Sequence, residues 1–180
     1  FLKYFNDSMG DLMKQRVVEL TEFGKAEKMK LIEASIPSPG PGQIVVKNNA
    51  IGLNYLDTYF RSGLYPWPNQ EKIKIPGSEG VGFVHSVGSD VVELKEGDKV
   101  SYVTPVGAYA EYALINAVHA VEIKVKVNDF DVVACTLKGL TTHYLLHLTF
   151  NLKSGMTALV HAAAGGVGQL MGQWGSEIGA

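Results

Sequence analysis

Three glycines carry the plainest chemical signal in this chain. In TALVHAAAGGVGQL, residues 157–170, Gly165 and Gly168 stand at the second and third glycine positions of a G-x-G-x-x-G pattern, and Ala163 stands where the first would be. A glycine at the second position lets backbone approach a diphosphate, and one at the third lets a helix pack closely on the preceding strand. Gly166 and Val167 lie between them, where the helix opens. N–H groups at a helix start lack intrahelical acceptors and have the positive end of the helix dipole behind them. Such a turn favours a diphosphate without needing a lysine or arginine. A glycine cluster after an apolar run can equally be a plain strand-to-helix connection, so the surrounding elements must decide between the two.

Those elements are written in the punctuation of the chain. From Gln15 to about residue 125, segments such as QRVVELTEF, GQIVVKNNAIGLN and VGFVHSVGS alternate or run apolar, with many β-branched residues. Proline-glycine clusters such as IPSPGPGQ (36–43) separate them, which predicts strands and turns. VVELKEGDKVSYV reads as two strands about a tight turn at Gly97-Asp98, and GAYAEYALINA continues the pattern. One helix is expected at LNYLDTYFRSG (53–63). Beyond Asn128, DFDVVACTLKGLTTHYLLHLTFN spaces apolar residues as two helices on either side of Lys138-Gly139. Lys153-Ser154-Gly155 then turns the chain into the strand TALVH, the first of a parallel sheet. The expected class is α/β: a β-rich domain over 15–137 after an extension at 1–14, followed at 138–180 by the beginning of a doubly wound parallel sheet.

Composition narrows the function classes. At 180 residues the chain suffices for one large or two small domains. A net charge of −2 with 19% charged residues leaves no basic stripe, and Lys124 and Lys126 alternate with valine as on a solvated strand face. Nucleic acid is therefore not an expected partner. Cys135 is the only cysteine, which excludes an internal disulfide and a multi-cysteine zinc cage and suggests a reducing compartment. No window is apolar enough over about 18 residues to span a membrane, so a cytoplasmic protein is expected. The chain opens on Phe1 rather than Met and stops at Ala180, soon after the glycine turn, and is expected to be a fragment.

The series IPSPGPGQIVVKNNAIGLNYLDTYFRSGLYP, PGSEGVGFVHSVGSDV, LKEGDKVSY, GAYAEYALI, LKGLTTHYLL and HAAAGGVGQL resembles, in order and spacing, the quinone oxidoreductase (zeta-crystallin-like) branch of the medium-chain dehydrogenase/reductases. The likeness covers roughly residues 15–180. It includes Gly155, Leu159, Ala163, the Gly165-Gly166-x-Gly168 core and Gln173, each at its place in that branch's signature. The resemblance implies a GroES-like N-terminal domain, a Rossmann-type C-terminal domain, NADPH as hydride donor, a small quinone as acceptor, and a homodimer.

Within that superfamily the chemistry divides on zinc. Zinc-dependent members carry a cysteine ligand early and a Gly-His-Glu motif later, where this chain has Leu53-Asn54-Tyr55 and Gly77-Ser78-Glu79. The ligand residue types are missing, and no metal site is expected. Without a Lewis acid to polarise an alcohol oxygen, an easily reduced acceptor is favoured, and a quinone needs little polarisation because its reduced form is aromatic.

By the resemblance, Asn54, Tyr55, Asp57 and Tyr59 lie beside the nicotinamide and its acceptor, with Asn54 and Tyr59 in the reaction itself and Tyr59 and Tyr65 on the acceptor. Asn54 could alternatively cap a short helix, and Tyr59 pack at a domain edge. Thr141 and Tyr144 are placed near the cofactor with Gly165, Gly166, Val167 and Gly168; a threonine inside a helix otherwise back-bonds to its own turn. His143 and His147 share a helix face but lack a third ligand, and are read as surface or packing residues, as His161 is read as structural. Glu79 reads as a buried ordering carboxylate and Cys135 as a small core residue. Two stretches depart from the branch's pattern: Ser176-Glu177, and the longer loop Trp67-Pro68 with NQEKIKIPG. The residues that would choose NADPH over NADH follow a second Rossmann strand, beyond Ala180. The neighbouring enzyme reading is an enone or alkenal double-bond reductase; the non-enzymatic ones are a crystallin or an RNA-binding protein.

Overall fold

A computed structural model describes residues 13–68 and 73–180. Most of the extension assigned to 1–14, and residues 69–72 of the lengthened loop, lie outside the described residues. Lys14 already belongs to the first strand, β1 (Lys14–Leu20), which forms an antiparallel hairpin with β2 (Met29–Ser35).

The β-rich part is built on a five-stranded antiparallel sheet. Its strands are β3 (Gln43–Ile51), β4 (Glu79–Val87), β5 (Lys99–Val103), β6 (Tyr112–Asn116) and β7 (Ala120–Glu122), in the order β6-β3-β4-β5-β7. Ile44, Val46, Val84, Val100, Tyr102, Ala113 and Ile115 meet on its inner side and are almost wholly buried. Each valine and isoleucine side chain there contributes about 1.5–3 kcal/mol of burial. The Tyr102 hydroxyl donates to Asn48 Oδ1 at 2.9 Å, and burial pushes its pKa above the ordinary phenol range. The β1–β2 hairpin is tied to this body by the bridge Val17 to Ala110 and by Val18 N–H donating to Tyr109 C=O at 2.9 Å.

Helix α1 (Tyr55–Ser62) lies where the sequence predicts it. Asp57 accepts the Asn54 N–H at 2.9 Å at its start, and Gly63 ends it in the left-handed region at φ 78°. Helix α2 (Asp129–His143) is capped by the Asn128 side chain, which accepts the Phe130 N–H at 2.8 Å. Val133 fixes it over Ala50 and Val81 of the sheet. Helix α3 (Gly166–Ile178) packs on α2 and ends at Gly179, φ 86°.

Several expectations are corrected. The two helices divided at Lys138-Gly139 are one: Gly139 sits inside α2 with open space around it, and the helix continues into a π-type turn over residues 144–149. A lone glycine weakens a helix by about 1 kcal/mol without breaking it. TALVH is not a strand, because a strand exists through its ladder and no described segment pairs with it. Of VVELKEGDKVSYV only the second half pairs, as β5; the first half is an irregular approach to the turn at Gly97. Lys124 and Lys126 lie past the end of β7, exposed and not on a strand. Cys135 is exposed on α2 rather than in the core, and it is Val133 that this helix buries against Ala50 and Val81.

Candidate functional site

The site begins with a buried carboxylate. Glu79, the first residue of β4, has no exposed surface, and the missing side chain of Gly52 leaves room for it. Its Oε2 accepts the Leu137 N–H of α2 at 2.7 Å. Its Oε1 accepts both Lys138 Nζ at 2.9 Å and Asn54 Nδ2 at 2.8 Å. Lys138 Nζ also donates to Asn54 Oδ1 at 3.0 Å, closing a triangle of three side chains from β4, α2 and the start of α1. An ion pair this enclosed holds because each charge is matched; removing one partner strands the other.

Behind Asn54 a second carboxylate fixes the helix that carries the aromatic residues. Asp57 is buried and accepts from Ser78 Oγ at 2.9 Å, Tyr109 Oη at 2.8 Å and Asn54 N–H at 2.9 Å. Burial first, and Asp57 second, hold the Tyr109 phenol above its ordinary pKa, so it remains a donor. Asp57 therefore faces the protein, organising the turn that presents Asn54. On the outer side of α1, Tyr55 and Tyr59 meet edge to face at 5.5 Å between centroids, and Tyr59 and Tyr65 lie 5.3 Å apart. Tyr65 is held by its N–H donating to Tyr59 C=O at 3.1 Å. A cavity of about 250 Å³ adjoins the first turn, lined by Leu53, Asn54, Tyr55, Asp57 and Tyr109 among others.

The glycine turn comes from the other side of α2. Gly165 precedes α3, and its N–H donates to Ala162 C=O at 2.9 Å. Ala162 holds φ 52°, the one positive φ outside glycine among the described residues. Such strain persists where the surroundings over-determine a turn. The N–H groups of Gly166, Val167 and Gly168 have no backbone acceptor, as expected of a helix's first turn. A Cβ on Gly168 would lie 2.5 Å from Ala162 O and 2.6 Å from Ala163 Cα, so this glycine is required by backbone contact. A cradle with free N–H groups and no room for side chains fits a dinucleotide diphosphate.

Between turn and amide lies Lys138. A Cβ on Gly166 would come within 2.7 Å of Lys138 Cδ, so the lysine stem rests on the turn while its ammonium holds Asn54. Thr141 follows three residues later, near this face of the helix; it donates its hydroxyl to Leu137 C=O at 2.8 Å, which leaves its oxygen able to accept. Tyr144, exposed, opens the π-type turn. Sequence reading misses Lys138, taking it as a boundary between helices. The signal is there to be read: a buried Glu79 demands a cation.

His143 and His147 pack tilted and edge-on against Trp174 of α3 at 5.9 and 5.2 Å between centroids, a packing role between helices. His161 is exposed. Among the described residues no group of three His, Cys, Asp or Glu gathers as metal ligands, and no helix is long and apolar enough to cross a membrane. A larger cavity of about 920 Å³ lies on another face of α2, lined by Ser101, Cys135, Gly139, His143 and Trp174 among others; it includes neither Asn54 nor the glycine turn.

The family profile of the alcohol dehydrogenase GroES-like domain matches residues 40–125. A quinone oxidoreductase of Pseudomonas aeruginosa is 43% identical over 166 residues, covering 90% of this chain and 50% of that protein. The crystal structure of a Pseudomonas syringae quinone oxidoreductase aligns with a TM-score of 0.88 at 42% identity, over 92% of this chain and 51% of that one. The Escherichia coli quinone oxidoreductase complexed with NADPH aligns with a TM-score of 0.83 at 37% identity, over 93% and 51%. The chain spans about half the length of the curated relatives it matches.

Proposed function

The chain belongs to the quinone oxidoreductase branch of the medium-chain dehydrogenase/reductase superfamily, and on that premise we propose that it works as a zinc-independent NADPH:quinone oxidoreductase. The observation that carries the proposal is the double contact of Lys138. Its stem lies on the glycine turn and its ammonium on the Asn54 amide, so a diphosphate cradle and a polar side chain beside an aromatic wall are held by one residue. Residues 15–137 form the GroES-like domain in this reading and 138–180 begin the nucleotide domain, with α2 spanning the join.

When bound, the reduced nicotinamide supplies a hydride to the quinone, and solvent supplies the proton that completes the hydroquinone. The chain's own residues bind and orient. The free N–H groups of Gly166, Val167 and Gly168 receive the diphosphate. Asn54 caps α1 and keeps one N–H beyond its bonds to Glu79 and Lys138, enough to hold a carboxamide or a quinone oxygen at about 0.5–1.5 kcal/mol. The Thr141 oxygen would accept an N–H from the same carboxamide, and Val167 and Tyr144 would flank the cofactor. Tyr59 offers its hydroxyl to the acceptor, and Tyr55 and Tyr65 extend the wall that stacks it and excludes water. Where zinc-dependent relatives place a ligand histidine, Ser78 donates instead to Asp57. A small quinone as substrate, a homodimer and a cytoplasmic location belong to the same proposal, supported by the family membership.

The test is loss of NADPH absorbance by the natural protein with an ortho-quinone and, separately, with an alkenal. Faster turnover of the quinone is expected. A reversed preference would make it an enone or alkenal double-bond reductase, and no turnover with either would end the oxidoreductase reading.

A further inference from the structure

We propose that Lys138 is a positioning residue: it fixes which end of the Asn54 amide faces the reactants and ties that orientation to the glycine turn. The inference rests on the quinone reductase reading of the site. An asparagine amide is nearly symmetric in shape, and its direction is set by its partners. Here those partners are of opposite kind. The Glu79 carboxylate only accepts and stands 2.8 Å from Nδ2; the Lys138 ammonium only donates and stands 3.0 Å from Oδ1. Turning the amide over would put oxygen against carboxylate and N–H against ammonium, two repulsions in a half-buried site. The remaining N–H therefore has one direction.

The connection to the turn is equally specific. Lys138 uses two of its three N–H donors on Asn54 and Glu79, and the third has no protein acceptor among the described residues. Its Cδ lies 2.7 Å from the place of a Cβ on Gly166, so a shift of the turn on nucleotide binding must move the lysine. The next residue back, Leu137, gives its N–H to Glu79 Oε2 at 2.7 Å, which locks the far oxygen of the same carboxylate.

That last bond makes a decisive variant possible. In Lys138→Met with Glu79→Gln, both charges are gone and the lysine stem is replaced by one of similar length. The Leu137 N–H then claims the oxygen of the new side-chain amide on β4, the NH₂ of that amide faces Asn54, and Asn54 must present Oδ1 to it. The Asn54 amide is inverted in a neutral, satisfied site. The measurements on the natural protein are the crystal structure and side-chain amide resonances of Asn54, thermal unfolding, and steady-state kinetics with NADPH and an ortho-quinone.

For the double variant, melting within about 5 °C of wild type, an inverted amide and a kcat lowered on the order of 100-fold with little change in the KM for NADPH are expected. Lys138→Arg, which keeps the charge, should retain turnover to within about tenfold. A double variant with an inverted amide and wild-type kcat, or one whose amide keeps its original direction, overturns the inference. Should the natural protein reduce no quinone, the functional reading fails, while the Asn54 amide in the double variant still shows whether Lys138 and Glu79 set its direction.

Discussion

Lys138 fills the space that Gly166 leaves empty, its Cδ 2.7 Å from where a Cβ would stand, whereas a Cβ on Gly168 would stand 2.5 and 2.6 Å from Ala162 O and Ala163 Cα. A flexible stem can yield and backbone cannot. Gly166→Ala should fold normally and weaken NADPH binding by less than about tenfold, while Gly168→Ala displaces the turn and weakens it by about 100-fold or more, roughly 2.7 kcal/mol. Fluorescence titration of NADPH into the two variants checks the order, and equal losses would show that the two contacts do not differ in kind.

Glu79 is the group whose loss the fold feels most. Glu79→Ala removes the acceptor for Leu137 N–H, Asn54 Nδ2 and Lys138 Nζ together, leaving an enclosed ammonium with only Asn54 to receive it. Destabilisation of about 3–5 kcal/mol is expected. Glu79→Gln keeps the shape and should lose less. Urea unfolding gives both values, and a Glu79→Ala change under about 1 kcal/mol would mean that water already compensates the site.

The aromatic wall predicts a separation of kinetic constants. Tyr65 touches Tyr59 and Phe60 at the outer end of α1 and none of the groups on the Lys138 side. Tyr65→Ala should raise KM for the quinone several-fold and leave KM for NADPH unchanged. The pattern of uniform binding loss, with kcat nearly constant, identifies a residue that holds the acceptor without acting in the transition state. A rise in the NADPH constant instead would put Tyr65 on the cofactor.

The parts of this fold legible in the sequence are those with a local cause. Helix α1 can be placed because Asn54, Asp57 and Gly63 punctuate it, and β4 because its apolar run is bounded by turns. The glycine turn is visible for the same reason. What escapes depends on partners far along the chain. Lys138 looks like a helix break because its acceptors, Asn54 and Glu79, lie 84 and 59 residues away. TALVH looks like a strand because side-chain pattern records propensity, while a ladder needs a neighbour. Cys135 is misplaced because a small apolar side chain suits a core by type, while its exposure is decided by its place on α2. Asp57 reads toward the cofactor, yet its direction is set by Ser78 and Tyr109, which the sequence keeps 21 and 52 residues away.

Acid should loosen the attachment of α2 first. Asp129, in the first turn of α2, pairs with the Lys99 ammonium of β5 and accepts at 2.8 Å from Asn49 Nδ2 of β3, and these two partners, Lys99 foremost, hold its carboxyl below the usual range. A folded-state pKa lower than the unfolded one means that the native state favours the ionised form. The contribution is therefore complete above the unfolded value of about 3.9 and is lost as pH falls through it toward the lower folded value. Wild type should exceed Asp129→Asn in stability by on the order of 1 kcal/mol at neutral pH, and the gap should begin to close as pH falls through about 4. Added salt should narrow it at neutral pH, since both side chains keep some contact with water. Urea midpoints of the two proteins across that range decide the matter: a gap that stays constant down to about pH 3 would mean that Asp129 acts through its shape and its hydrogen bond to Asn49, and that its charge contributes nothing.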